Sequence, residues 1–216
     1  MYELVILTTA IDRPELHSAI LPNTLKYIEG LKCKWFITIN NINNRVNETK
    51  ENFELLLKDY DLTIDTYDTG GTKMDFMHSC ERLNNYAKSC DPSIGYFWLE
   101  DDWLINSDKM LASDIKKLFK NNLCHISLAN RNELSFNPGI WSKDLFEHVI
   151  YNNLSNAYKQ KGYGTQAVLN PERICTYPVD KTRAMVRHYC KLDRYHDVGR
   201  TWQKNNLKGI QTWKLV

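Results

Sequence analysis

Short apolar runs rich in β-branched and aromatic residues recur as far as Leu128, and a helical pattern fills most of the intervals between them. Leu4 to Leu7, Trp35 to Ile39, Leu62 to Tyr67, Tyr96 to Leu99 and Leu123 to Leu128 read as strands. Pro14 opens a helix through Leu16, Ile20, Leu21, Leu25 and Ile28, which Gly30 stops. Further helical patterns run from Val46 to Tyr60, from about Met74 to Ala87 and from about Asp108 to Phe119. The order βαβαβαβαβ predicts an α/β fold. It calls for a single Rossmann-like domain with a central, mainly parallel mixed sheet of about six strands, helices on its faces and ligands at the C-terminal strand ends. Beyond Ala129 the pattern loosens, with helices expected around Lys143 to Ile150 and Asn153 to Lys161 and a short strand near Ile174 to Tyr177.

The strand at Tyr96 runs straight into Glu100, Asp101 and Asp102, with Trp103 and Leu104 following. Two unit charges about 4 Å apart repel by roughly 4 kcal/mol at an effective dielectric of 20, so adjacent acids at the end of a buried strand call for a cation or for solvent. A divalent metal answers that need. Magnesium and manganese prefer carboxylate oxygen and commonly reach substrate phosphates through one or two protein carboxylates, the remaining positions going to water. The alternative is a solvated turn with the acids splayed apart.

Composition narrows the remaining classes. At 216 residues, 43% hydrophobic and 25% charged, the chain has the make-up of one globular domain, not of a disordered segment. A net charge of +2 does not suggest a general nucleic-acid binder, although Lys181, Arg183, Arg187, Lys191, Arg194 and Arg200 form a local basic run suited to phosphate. The six cysteines include no C-x-x-C pair, no segment nears the roughly 18 apolar residues of a membrane span, and no leader pattern opens the chain. The expected location is the cytoplasm.

Neither G-x-G-x-x-G nor a glycine-rich loop ending in Lys-Ser/Thr occurs. The first strand ends instead in Thr8-Thr9-Ala10-Ile11-Asp12-Arg13-Pro14, a polar turn feeding a helix whose N-terminal amides can support a nucleotide. With the strand-terminal acids, this points to a sugar-nucleotide site in which metal and basic groups hold a diphosphate. That turn, the Gly70-Gly71 break and Leu99-Glu100-Asp101-Asp102-Trp103 resemble the nucleotide-binding half of GT-A fold glycosyltransferases, whose D-x-D motif would here read Glu-Asp-Asp. The whole chain resembles the small glycosyltransferase domains of chloroviruses that build capsid-protein glycans.

The resemblance implies a UDP-sugar donor, with glucose or rhamnose the sugars to try first, Mn2+ or Mg2+, an acceptor oligosaccharide or glycoprotein, and, for a viral enzyme, the host cytoplasm. It divides the chain into a nucleotide-binding half, 1–104, and an acceptor-side half, 105–216. Asp102 becomes the direct metal ligand, joined by His196 from Tyr195-His196-Asp197-Val198-Gly199-Arg200. Glu100 and Asp101 would contact ribose, metal-bound water or the sugar, and Arg200 a phosphate. Thr8, Thr9, Asp12 and Arg13 would meet base, ribose or phosphate, and Asn40, Asn41, Asp68, Gly70, Gly71 and Lys73 the uridine. Capping and tight turns are the structural alternatives for these positions.

Gly162-Tyr163-Gly164-Thr165-Gln166 carries no acid where many inverting relatives place their base. That leaves Glu133, Asp144, Asp180 and Asp193 as unranked candidates. Asn137-Pro138-Gly139-Ile140-Trp141-Ser142 reads as an acceptor-side loop, with Trp103 and Trp141 as stacking candidates and core packing the equal alternative for Trp141. A non-catalytic sugar-nucleotide or carbohydrate-binding module and a metal-dependent nucleotidyltransferase are the competing readings.

Overall fold

The computed structural model describes residues 1–69, 78–105, 111–113, 115, 125, 128 and 138–147, and the backbone alone of 75–77, 126, 127, 188, 189 and 195–197. Its first strand, β1 (Leu4–Ile11), is buried at every position, as a central strand covered on both faces must be. Strands β2 (Cys33–Asn40) and β4 (Gly95–Glu100) flank β1 in parallel, and β3 (Asp61–Tyr67) adds parallel to β2 at the edge. The remaining strands are β5 (Trp103–Ile105), β6 (His125–Ser127), β7 (Gly139–Ser142), β8 (His188–Tyr189) and β9 (Tyr195–Asp197). The main sheet has the order β3-β2-β1-β4-β7-β6-β8, and β5 pairs separately with β9. Strand β7 runs antiparallel to both neighbours, so the sheet is mixed as expected, with seven strands among the described residues.

Helices α1 (Pro14–Ile28) and α2 (Val46–Leu56) cover one face, packing Leu21, Tyr27, Ile28 and Phe53 into a cluster with Leu4, Ile6, Trp35, Ile37 and Phe97. Helix α3 (Asp75–Ala87) covers the other face, where Tyr86 stacks on Phe36 and the Ser79 and Thr38 hydroxyls are hydrogen-bonded. The short helix α4 (Lys143–Phe146), capped by Ser142 Oγ, lies on that same second face with Phe146 stacked on Tyr96. Pro14 at the first turn and Gly30 at φ 81° bound α1 as their chemistry predicts. Leu111–Ser113 and Ile115 are helical within the 108–119 pattern.

Gly139–Ser142, expected within an acceptor-side loop, is instead a buried strand between β4 and β6. Gly95 allows the close pairing. Its φ of 153° disfavours a side chain, and a Cβ there would lie 2.0 Å from the Trp141 carbonyl oxygen. The helix and strand expected at 153–161 and 174–177 lie outside the described residues.

The winding fixes where a ligand can bind. From β1 the chain steps outward through β2 to β3, then returns to set β4 against the other side of β1. The strand order therefore reverses between β1 and β4, and their C-terminal ends flank the crevice that such a reversal opens. One end carries Ile11–Arg13 and the other Glu100–Asp102.

Candidate nucleotide-sugar site

At this reversal the Asp101 backbone N–H donates to the Thr9 carbonyl, carrying the β1–β4 pairing one residue past the strand. The step turns the Asp101 side chain inward beside α1. There Arg13 Nη2 donates to Oδ1 at 2.6 Å, and Arg13 Nε to Oδ2 at 3.0 Å. Oδ2 also accepts the Ile11 backbone N–H at 3.1 Å and lies 2.9 Å from His17 Nε2. Four contacts converge on one carboxylate, three of them on Oδ2. The cation expected for the acidic triplet is thus, for Asp101, a guanidinium supplied by the protein itself.

The electrostatics of this cluster follow from its burial. Burial alone would push the Asp101 carboxyl up, but the Arg13 charge and the hydrogen bonds from His17 and Arg13 outweigh it and bring it down to about 2. Burial opposes the charge on Arg13 as well, and Asp101 with Asp102 overcomes it, raising the guanidinium further. For His17 burial prevails over the nearby carboxylate and lowers the imidazole from its ordinary value. The geometry agrees. With Nε2–H given to Asp101, Nδ1 has no hydrogen-bond partner among the described residues, so protonation there would bury an unmatched donor. The ring stacks on Phe53 of α2 at 4.4 Å.

Glu100 and Asp102 are only partly buried. The Glu100 carboxylate accepts the Trp103 indole N–H at 3.3 Å, and Asp102 Oδ2 lies 3.3 Å from Arg13 Nη2. Partly buried carboxylates on either side of a fully buried one form a hard-oxygen donor set suited to Mg2+ or Mn2+, which retain water and complete their shells with phosphate. The set fits such an ion. Among the described residues no group of three or more His, Cys, Asp or Glu side chains converges on one point, so phosphate, water or residues further along the chain would complete the coordination. Strand β9 pairs with β5 just beyond the turn, and there His196 stands opposite Leu104, two residues after Asp102.

Several expected ligand contacts are occupied by the fold. Thr8 Oγ1 accepts the Trp35 indole N–H at 2.8 Å in the core. Thr9 is buried, and its hydroxyl has no partner among the described residues. The Asp12 carboxylate accepts the backbone N–H groups of Ile42, Asn43 and Arg45 at 2.8–3.0 Å, fixing the loop from β2 to α2. Asn44 stands in that loop at φ 60°. Arg13, expected at base or phosphate, is fully buried against Asp101. At the ends of β2 and β3, Asn40 Nδ2 donates to Thr69 Oγ1 at 3.1 Å and the Asn41 N–H to the Tyr67 carbonyl at 2.8 Å. Asp68 is exposed beside them.

Other candidates fall elsewhere. Ser142 pairs with Gly95 at the start of β4, about 16 Å along the strand from Glu100 at roughly 3.3 Å per residue, so Asp144, two residues further on, belongs to the far end of the sheet. Trp141 pairs with Tyr96, and its ring is enclosed with His125 and Phe146. It is a core residue with no face open to a sugar. Trp103 is also nearly buried, at 5%. Gly70, Gly71, Lys73, Glu133, Asn137, Asp180, Asp193 and Arg200 lie outside the described residues. His17 was not anticipated. Its signal was a histidine one turn after Arg13, beside Leu16 on the buried stripe of α1.

No protein-family model and no curated protein matches the chain. Among solved structures it is similar to the mannosyltransferase PcManGT from Pyrobaculum calidifontis, in complex with GDP-Man and Mn2+, with a TM-score of 0.59 and 11% identity over 89% of this chain and 55% of that one. S. aureus TarS matches at a TM-score of 0.49 and 10% identity, over 68% of this chain and 29% of that one. The chain thus spans about half the length of the mannosyltransferase. What this likeness establishes is the fold: the α/β sheet with flanking helices is one that a glycosyltransferase uses.

Proposed function

We propose that this chain is a metal-dependent glycosyltransferase that takes a sugar from a nucleotide donor, UDP-sugar being the first choice, and delivers it to an acceptor glycan. The observation that carries the reading is the position of Glu100 and Asp102. They flank the inward-turned Asp101 at the point where the strand order reverses. A fold shared with a structure holding GDP-Man and Mn2+ supports a nucleotide-sugar site of this kind.

In this reading Asp102 is the direct metal ligand and Glu100 orients ribose or a metal-bound water. His196, opposite Leu104, is the second protein ligand. Asn41 and Asp68 at the ends of β2 and β3 line the nucleoside side, and Arg200 meets the phosphate. A bound Mn2+ or Mg2+ would take up the negative charge that develops on the departing diphosphate. The resemblance to chlorovirus capsid-glycan enzymes makes UDP-glucose and UDP-rhamnose the first donors to try. Release of UDP from these donors with Mn2+ and an acceptor glycan is the test. Silence across a donor panel, from a folded protein that binds UDP, would replace the transferase by a binding module.

A further inference from the structure

Arg13 occupies the N-cap of α1, where Ser, Thr, Asp or Asn would be the stabilising choice, and its side chain makes no capping hydrogen bond. A residue that breaks a local rule while fully buried points to a requirement elsewhere. That requirement lies in the acidic turn. Both oxygens of Asp101 are gripped by Arg13, and one guanidinium nitrogen, Nη2, reaches Asp101 at 2.6 Å and Asp102 at 3.3 Å. His17, one turn along the same helix, holds Asp101 from a second direction and is itself braced by Phe53. Asp12, the neighbour of Arg13, pins the β2–α2 loop through the Ile42, Asn43 and Arg45 amides. The start of α1 thus fixes two of the strand ends around the crevice.

We propose that Arg13 and His17 are positioning residues for the metal–nucleotide site. They lock Asp101 inside the protein so that Asp102, which Arg13 also touches, is presented to the cation in one orientation. The inference rests on the donor-site reading above. A planar guanidinium is needed for it, because a lysine ammonium is a single point and cannot span both Asp101 oxygens while also reaching Asp102.

The test is Mn2+ titration, in the presence of UDP, of the wild-type chain and of the Arg13→Lys, His17→Gln and His17→Ala variants, read by electron paramagnetic resonance of free Mn2+. The rise in melting temperature caused by Mn2+ plus UDP is recorded in parallel. Folded Arg13→Lys is expected to lose about tenfold or more in Mn2+ affinity and most of the ligand-induced rise. His17→Gln, which keeps a donor near Nε2, should retain wild-type affinity within about twofold, whereas His17→Ala should lose severalfold. Should Arg13→Lys fail to fold, the His17 pair decides alone. Wild-type affinity in folded Arg13→Lys, or equal affinity in His17→Gln and His17→Ala, overturns the inference and leaves the donor site standing. Absence of binding by the wild-type chain overturns the donor-site reading itself.

Discussion

Asp101 and Arg13, 88 residues apart in the chain, form a buried ion pair in which two guanidinium nitrogens meet the two carboxylate oxygens at 2.6 and 3.0 Å. Each end of the pair lies one or two residues past one of the two strands between which the sheet order reverses. It joins the helix that follows β1 to the acidic turn that follows β4.

Breaking the pair from one side leaves a buried charge without its counter-ion, a loss of about 3–5 kcal/mol in comparable settings. Asp101→Ala is therefore expected to lower stability by about that amount in urea unfolding. A loss below about 1 kcal/mol would show that the pair contributes little.

Acid should weaken the fold in two separate windows. His17 is lowered in the folded state, so the unfolded chain binds the proton first and stability falls as pH drops below the ordinary value of 6.5. Asp101 is lowered from 3.8 to about 2, so its contribution is present above pH 3.8 and is lost as pH falls through 2. Urea midpoints measured at pH 7.5 and 5.0 should fall with acid in the wild-type chain and change less in His17→Gln. Equal shifts in the two proteins would contradict the assignment of a neutral His17.

Asp12→Ala removes the acceptor of three backbone amides at once. Hydrogen bonds to charged groups contribute about 1.5–3 kcal/mol each, and orphaned donors add their own cost, so a loss of about 2 kcal/mol or more is expected. Amide exchange at Ile42, Asn43 and Arg45 should accelerate selectively. Unchanged exchange at those sites would remove Asp12 from this role.

Gly95→Ala should disrupt the β4–β7 pairing. The added Cβ meets backbone at 2.0 Å, and the φ of 153° is strained for alanine, so a destabilisation of about 3 kcal/mol is expected. A variant as stable as the wild type would show that β7 can yield at Trp141.

The parallel half of the sheet was legible because its signals are local. Pro14 and Gly30 bracket α1, and each strand from β1 to β4 coincides with an apolar or alternating run. Strand β7 was not, since Gly139-Ile140-Trp141-Ser142 is too short for a period and follows a Pro-Gly turn signal. Its burial depends on β4 and β6. The acidic triplet was recognised as an electrostatic problem, yet no local pattern reports that Arg13 neutralises its middle member. For the same reason Asp12 and Arg13 read as ligand contacts. Their hydrogen bonds span about 30 and 88 residues, distances over which sequence periodicity carries no information.

The most direct measurement is calorimetric titration of UDP, GDP and CMP into the wild-type and Asp102→Ala chains, with and without Mn2+. The account predicts binding of UDP that depends on Mn2+ and that falls by about tenfold or more in folded Asp102→Ala, a loss of about 1.4 kcal/mol or more. UDP binding that is indifferent to Mn2+, or unchanged in folded Asp102→Ala, would contradict it.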